Sequence, residues 1–346
     1  MTREPAGPRP VRRATIIDVA RRAGVSRQTV TRAMNSMPGI SPTTRDRVLA
    51  AAQELAYRPS RSGRALVHTE SRVIGLLVTD LTNAFFSELA TALIREAAGR
   101  GWSVIFAEDN VEAGPGGSLG ERVDVLIGYD PIGEAAPANA AVPVVLLDAP
   151  EDADPRCGRI VLDLSRGAEE LAAHLLGVGV VRPAIVDATS SGGPSGRARL
   201  LRRALLSAGA SRIALEVLTD ETGRGATRDG REQALDRLLD PGRADGPVDA
   251  LLAFNDRLAL ELLRSLRLRG LRVPEDVRVV GMDGLALGTL VTPTLTTLAT
   301  DAAEIARHAV DLAIGIYEHS IPADGGADGA ATLRRHRYRL VLRESA

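Results

Sequence analysis

Residues 17–35 read IDVARRAGVSRQTVTRAMN, two short helical segments joined by a glycine turn. Ala20 and Ala23 are small enough for two helices to approach. Gly24 supplies the turn, Val25 plugs it and Val30 faces back inside. Thr15 caps the first helix, with Asp18 three residues on as in a capping box. Ile16, Ile17, Val19, Ala20 and Ala23 form its apolar side. Ser26 caps the second helix, which runs to about Asn35. Ser41-Pro42 opens a third, because proline costs little at a first helical position whose N–H has no partner. Val48, Leu49, Ala52 and Leu55 fall on one face of that helix.

This is helix-turn-helix form, and its second helix presents Arg27, Gln28, Thr31 and Arg32 outward. An arginine bonds a guanine edge with two donors, and a glutamine pairs with adenine in the same way. Arg27 and Gln28 sit in the first turn, the end that enters a major groove. Thr29 and the helix N-terminus suit phosphates.

Charge points the same way. The whole chain of 346 residues has a formal net charge of −1, but residues 1–66 hold thirteen arginines against four acids. The remainder holds 30 basic and 40 acidic residues. A basic head on an acidic body suits a polyanionic partner for the head. Every basic residue other than histidine is arginine, which we attribute to genome composition.

Pro59 breaks the chain, and residues 60–71 form a linker in which Ser62–Val67 spans one or two helical turns. From Val73 onward, apolar runs alternate with helical segments. The expected strands are 73–78, 103–107, 123–127, 142–147, 183–186, 213–217, 250–253 and 277–282. The expected helices are 86–100, 166–178, 196–208, 230–239, 256–269 and 300–317. Solidly apolar strands alternating with helices imply parallel sheets covered on both faces, and this length implies two of them. Such sheets bind ligands beyond the carboxyl ends of their strands. Asp80, Asp148, Asn255 and Asp283 follow strands directly, and Arg197 stands near a helix start. Several carboxylates in one cleft suit a polyol or sugar, and arginine adds a forked donor. Asp80, Asp163 and Asn255 read equally well as helix caps, and Asp256 reads as a cap in preference to a ligand group.

The segments TIIDVARRAGVSRQTVTRAMN and ISPTTRDRVLAAAQELAYRPSRSGRAL, continuous over most of residues 15–66, resemble the headpiece of the LacI/GalR family of bacterial repressors. The segment 74–106, NDRLALELLRSLRLRGLRVPEDVRVVGMDG at 255–284, PTLTTL at 293–298 and LVLRESA at 340–346 resemble landmarks of the family's core. The resemblance implies an N-terminal all-α helix-turn-helix headpiece and an α/β periplasmic-binding-protein-like core of two doubly wound parallel-sheet lobes. The expected division is a disordered tail over 1–13, a DNA-binding domain over 14–59, a hinge over 60–71 and a core over 72–346. Within the core, lobe one takes about 72–163 and 286–320, and lobe two takes about 164–285 and 321–346.

By the same resemblance Arg27, Gln28 and Arg32 read bases, and Tyr57 and Pro59 mark the exit from the third helix. Leu66 in the hinge wedges into the minor groove. Thr15, Ser26, Thr29, Thr31, Asn35 and Arg64 complete the set facing double-stranded operator DNA. Asp148, Arg197, Asn255 and Asp283 match effector contacts, Phe85 and Phe86 match the apolar wall of the pocket, and Asp80 joins them by its place after a strand. The implied protein is a homodimer on a palindromic operator, controlled by a sugar or related polar metabolite. Across the family the ligand releases DNA in most members and acts as corepressor in some, and both signs fit this sequence.

Departures stand at Gly63 in the hinge, where glycine costs a helix about 0.5–1 kcal/mol against alanine, and at Ala84, Leu164, Val180 and Gly284 in the core. The segment 113–120, AGPGGSLG, replaces a helix of the first lobe.

Other function classes fit less well. An enzyme lacks its motifs here: GPGGSLG at 114–120 has no P-loop lysine, and there is no G-x-S-x-G. The five histidines, at 68, 174, 308, 319 and 336, show no ligand spacing, so no metal and no cofactor is expected. A solute-binding receptor without a DNA role would carry a signal peptide in place of a basic headpiece. With one cysteine, Cys157, and no run of eighteen apolar residues, the expected location is the cytoplasm.

Overall fold

A computed structural model describes residues 16–34, 39–54, 72–78, 80–108, 119, 122–129, 142–149, 153, 157–189, 193–218, 227–320 and 333–346. Thr15, Asn35, Tyr57, Pro59, Gly63, Arg64, Leu66, the tail over 1–13, the linker over 60–71 and all of 113–120 but Leu119 lie outside them. The chain divides into two compact units, Met1–Ser71 and Arg72–Ala346.

The first unit holds α1 (Ile16–Ala23), α2 (Arg27–Met34) and α3 (Pro42–Glu54). Gly24 turns the chain with a left-handed φ of +65°, which glycine adopts without steric cost. Ser26 caps α2 by accepting the Thr29 amide at 3.1 Å, and Ser41 caps α3 by accepting that of Thr44 at 3.2 Å. Val19, Ala20, Ala23, Val30, Ala33, Val48, Ala51 and Ala52 make a small aliphatic core. Two expected core residues are not in it: Ile17 and Leu49 are exposed. Leu49 follows buried Val48 by one position, about 100° around the axis, and Ile17 precedes buried Val19 by two, about 200°, so neither shares the inward face of its valine. An Arg22–Glu54 ion pair at 2.7 Å ties α1 to α3.

The second unit has two six-stranded sheets. The first contains β1 (Arg72–Val78), β2 (Trp102–Glu108), β3 (Val125–Tyr129), β4 (Val144–Leu147), β5 (Gly158–Asp163) and β11 (Leu333–Arg337), in the order β11-β5-β4-β3-β1-β2. The second contains β6 (Pro183–Ala188), β7 (Ala214–Leu218), β8 (Ala250–Ala253), β9 (Arg278–Asp283), β10 (Thr296–Ala299) and β12 (Arg339–Val341), in the order β12-β10-β9-β8-β6-β7. Every pairing is parallel except that of β10 with β12. The helices are α4 (Ala84–Ala98), α5 (Ser165–Gly177), α6 (Gly196–Ser207), α7 (Arg228–Leu239), α8 (Asp256–Leu268) and α9 (Ala302–Ser320). Among the described residues no helix is long and apolar enough to cross a membrane.

The chain passes between the sheets three times, after β5, after β10 and after β11. This corrects the expected lobe boundaries. Residues 286–299 belong to the second sheet, since β10 pairs with β9, and 333–337 belong to the first, since β11 pairs with β5. Four strands escaped the sequence reading. In β5 buried and half-buried residues alternate, β10 is half threonine, β11 reads LRRHR, and β12 is a three-residue edge. None presents the continuous apolar run that marks a central parallel strand.

Leu164, where a polar residue was expected, is buried in a core cluster shared by elements of both sheets, as is Val180. Gly284 is required by its surroundings: its φ is +88°, and a Cβ there would lie 2.5 Å from that of Ala299.

Asp256 is fully buried at the start of α8 and is neither a cap nor a ligand group. It accepts the amides of Gly284 at 2.9 Å and Leu285 at 2.7 Å and the Thr297 hydroxyl at 2.6 Å. It thereby fastens α8 to the ends of β9 and β10. Burial pushes its pKa up, and these donors pull it back. Asp256→Ala orphans three buried donors at about 1 kcal/mol or more each. Urea unfolding should show a loss of about 3 kcal/mol, and a loss under about 0.5 kcal/mol would remove the strut from the account.

Candidate DNA interface and ligand cleft

On α2 the side chains of Arg27, Gln28 and Arg32 are exposed, while Val30 and Ala33 are buried on the opposite face. The helix is thus held by its back and free at its front. Thr29 is half-buried, and its hydroxyl lies 2.9 Å from the Ser26 hydroxyl inside the cap. The Thr31 hydroxyl donates to the Arg27 carbonyl at 3.1 Å, which directs its proton back to the helix.

In the second unit three of the expected cleft residues converge. Asp148 follows β4 with a left-handed φ of +54°, and Asp283 ends β9 at +124°. Both conformations are unusual for residues other than glycine and hold the side chains off the strand direction. Arg197 stands between them, 3.7 Å from Asp148 and 3.5 Å from Asp283. Its guanidinium stacks 5.1 Å from the Phe254 ring centre and 5.9 Å from that of Tyr338.

Arg197 owes its place to the start of α6. Ser195 caps that helix by accepting the Ala198 amide at 3.0 Å. Buried Asp187, in β6, accepts the Ser195 amide at 2.7 Å and its hydroxyl at 2.8 Å. The strand therefore sets the cap, the cap sets the helix, and the helix sets the arginine.

One guanidinium faces two carboxylates. Burial pushes Asp283 up to about 8, against the pull of Arg197. Burial also raises Asp148, again opposed by Arg197. Burial opposes the charge on Arg197, but Tyr338, Asp283 and Asp148 outweigh it and hold the proton. Asp283 is only 4% exposed against 35% for the Asp148 side chain, so burial favours the neutral form more strongly at Asp283. The cluster then offers an acceptor on Asp148, a forked donor on Arg197 and a donor on Asp283. A ligand hydroxyl, which both donates and accepts, matches that set. The ion-pair distances exceed the roughly 2.7–2.9 Å of a direct charge-assisted bond, so the donors have capacity left.

The remaining expected residues have partners of their own. Asp80 accepts Arg257, from α8 of the other lobe, at 2.7 Å, together with the Thr82 amide and hydroxyl at 2.8 and 2.6 Å. Arg257 also donates to the Thr82 hydroxyl at 2.9 Å, making a second bridge between the lobes. Asn255 caps α8 by accepting the Leu258 amide at 2.8 Å. Asp163 accepts the Ser165 amide at 3.0 Å. Phe85 and Phe86 are buried and meet edge to face, with Tyr129 5.3 Å from Phe86.

Tyr129, Phe254 and Tyr338 were missed by the sequence reading. The Tyr129 hydroxyl is buried with no hydrogen-bond partner among the described residues. Burial and then Asp148 push its pKa well above the usual phenol range. An aromatic at or just after the end of an apolar strand was the available signal, at Tyr129 and Phe254. The histidine reading also needs correction. His308 and His336, 28 positions apart, meet in space beside Glu304.

Comparison with known proteins agrees with both halves of this description. Residues 15–60 match the bacterial regulatory proteins, lacI family, and residues 172–346 match the periplasmic binding protein-like domain. The HTH-type transcriptional regulator DegA of Bacillus subtilis (strain 168) is 30% identical over 306 residues, covering 85% of this chain and 88% of that protein. The ribose operon repressor of Escherichia coli (strain K12) is 32% identical over 316 residues, covering 87% and 92%. Among solved structures, the lac repressor dimer bound to operator and the anti-inducer ONPF aligns with a TM-score of 0.62 at 26% identity, over 96% of this chain and 99% of that one. A LacI family transcriptional regulator from Arthrobacter sp. FB24, in complex with lactose, aligns with a TM-score of 0.65 at 30% identity, over 79% and 99%. With its helix-turn-helix unit, its paired parallel sheets and relatives of this identity and coverage, the chain belongs to the LacI family of bacterial transcription regulators.

Proposed function

We propose that this regulator binds a palindromic operator as a homodimer in the cytoplasm, with a sugar or related polar metabolite in its cleft setting operator affinity. The observation that carries the DNA half is α2, buried along Val30 and Ala33 and open along Arg27, Gln28 and Arg32. Arg27 and Gln28 meet base edges, Arg32 lies one turn further on, and Ser26 and Thr29 lie at the phosphate end. A two-fold protein on a two-fold site fixes the half-site spacing. The solute-receptor alternative gives way, because the headpiece belongs to the family match.

The cleft half rests on Asp148, Arg197 and Asp283. Phe85, Phe86 and Tyr129 form an apolar wall on which a sugar face packs. The sugars named for relatives, ribose and lactose, are of the class this donor and acceptor set suits. The ligand acts through its different affinities for two lobe arrangements. The bridges from Arg197 and Arg257 are the contacts such a rearrangement would exchange.

Selection from a random duplex pool should return a palindrome. Arg27→Ala or Gln28→Ala should then cost about 1–3 kcal/mol and relax one operator position. Equal weakening on all sequences would reassign these side chains to phosphates. Titrating candidate sugars against operator affinity tests the cleft, and no response to any of them would remove the effector half.

The cleft also carries a pH signature. Asp283 is raised to about 8, so its contribution to stability is complete below the unfolded carboxyl value near 4 and is lost as pH rises through about 8. Between about pH 5 and 8 the unfolding free energy should fall by up to about 1.4 kcal/mol per pH unit, and Asp283→Asn should flatten that slope. Parallel profiles for the two proteins would show that Asp283 is ionised in the fold.

A further inference from the structure

Glu304 and His308 lie one turn apart on α9, and His336 lies on β11. The His308 Nδ1 and His336 Nε2 atoms are 2.9 Å apart, and the other ring nitrogen of His336, Nδ1, is 3.4 Å from the Glu304 carboxylate. One ligating atom from each residue falls within 4.8 Å of the other two. We propose that Glu304, His308 and His336 form a binding site for a divalent transition-metal ion of the zinc, cobalt or nickel class.

The donors decide the class of ion. Two imidazoles and one carboxylate suit borderline metals, whereas calcium and magnesium take oxygen shells. Arg307, 3.7 Å from Glu304, and Arg335 and Arg337, on either side of His336, disfavour an ion held by charge alone. An ion about 2.0–2.1 Å from both ring nitrogens at their present separation subtends about 90°, and opening the pair by a few tenths of an ångström reaches a tetrahedral angle.

The supports are also present. His336 is buried, so its ring is fixed by packing, while the Glu304 side chain is 46% exposed and free to turn. With Glu304 on the Nδ1 side of His336, its carboxylate orients that ring and leaves Nε2 turned toward His308, the arrangement usual around metal-bound histidines. A groove of about 960 Å³, lined in part by Glu304, His336 and Arg307, gives the ion its approach and room for water ligands. Two residues beyond His336 is Tyr338, which stacks on Arg197. The ion would tie β11 to α9 at the root of the crossing that carries this ring.

The test uses tag-free, full-length protein titrated with Co²⁺ and Zn²⁺. The proposal expects one equivalent of Co²⁺ per chain with visible ligand-field absorption, and a rise in Tm with Zn²⁺. His308→Gln, at a half-buried position, should fold and lose both signals, and Glu304→Gln should weaken uptake about tenfold or more. Cys157→Ser should leave uptake unchanged. Absence of saturable Co²⁺ absorption, or equal uptake and Tm shift in His308→Gln, overturns the site. Neither result bears on operator or sugar binding.

Discussion

A guanidinium taken largely out of water needs partners, and Arg197, with its side chain 19% exposed, gathers its partners from across the two-lobed unit. Its partners come from different parts of the chain: Asp148 after β4, Asp283 at the end of β9, Phe254 after β8 and Tyr338 at the third crossing. These contacts form only if both lobes and that crossing are in place. The backbone strain at Asp148 and Asp283 is the local cost of aiming two carboxyl groups at one cation. The surplus carboxyl keeps the cluster from closing on itself as a complete salt bridge. What remains is a mixed set of donors and acceptors, which is the chemistry a hydroxyl-rich ligand needs.

The headpiece solves a different problem. Three short helices have little to bury, and their core is eight valines and alanines. Caps at Ser26 and Ser41 and the Arg22–Glu54 pair supply what a larger core would otherwise supply. That economy frees the whole outer face of α2 for polar residues. It also explains why this segment was the most legible in the sequence: turn, caps and periodicity are local signals, and they agree within nineteen residues.

The second unit was legible where burial is two-sided. Runs such as Val73–Val78 and Ala250–Ala253 are apolar because both faces of a central strand are covered, and they were read as strands directly. β5, β10, β11 and β12 were not, because partly covered or edge strands carry arginines and threonines. The lobe boundaries failed for the same reason, since β10 and β11 define the last two crossings. Strand-end logic located Asp148 and Asp283, but Tyr338 required the fold. The His308–His336 pair likewise joins a helix to a strand that had not been read as one.

Residue type at a strand end nominates a ligand group, but spare hydrogen-bonding capacity decides between nominees. Asp256 and Asp283 are both buried aspartates in this region. Asp256 is saturated by two amides and a hydroxyl, so nothing is left for a ligand. Asp283 has only a loose contact with Arg197 at 3.5 Å, and burial raises its pKa to about 8, so it keeps capacity for a further partner. Asn255 commits its Oδ1 to a helix cap and keeps its amide donors, while Asp80 is occupied by Arg257 and Thr82. Asp80 differs in one respect: its main partner lies on the opposite lobe, so its saturation is conditional on lobe position. In the proposed function Asp148, Arg197 and Asp283 are the groups that would hold a ligand directly, and the Asp80–Arg257 bridge is the contact that lobe movement would break. On that proposal binding and switching would draw on neighbouring but separate residues.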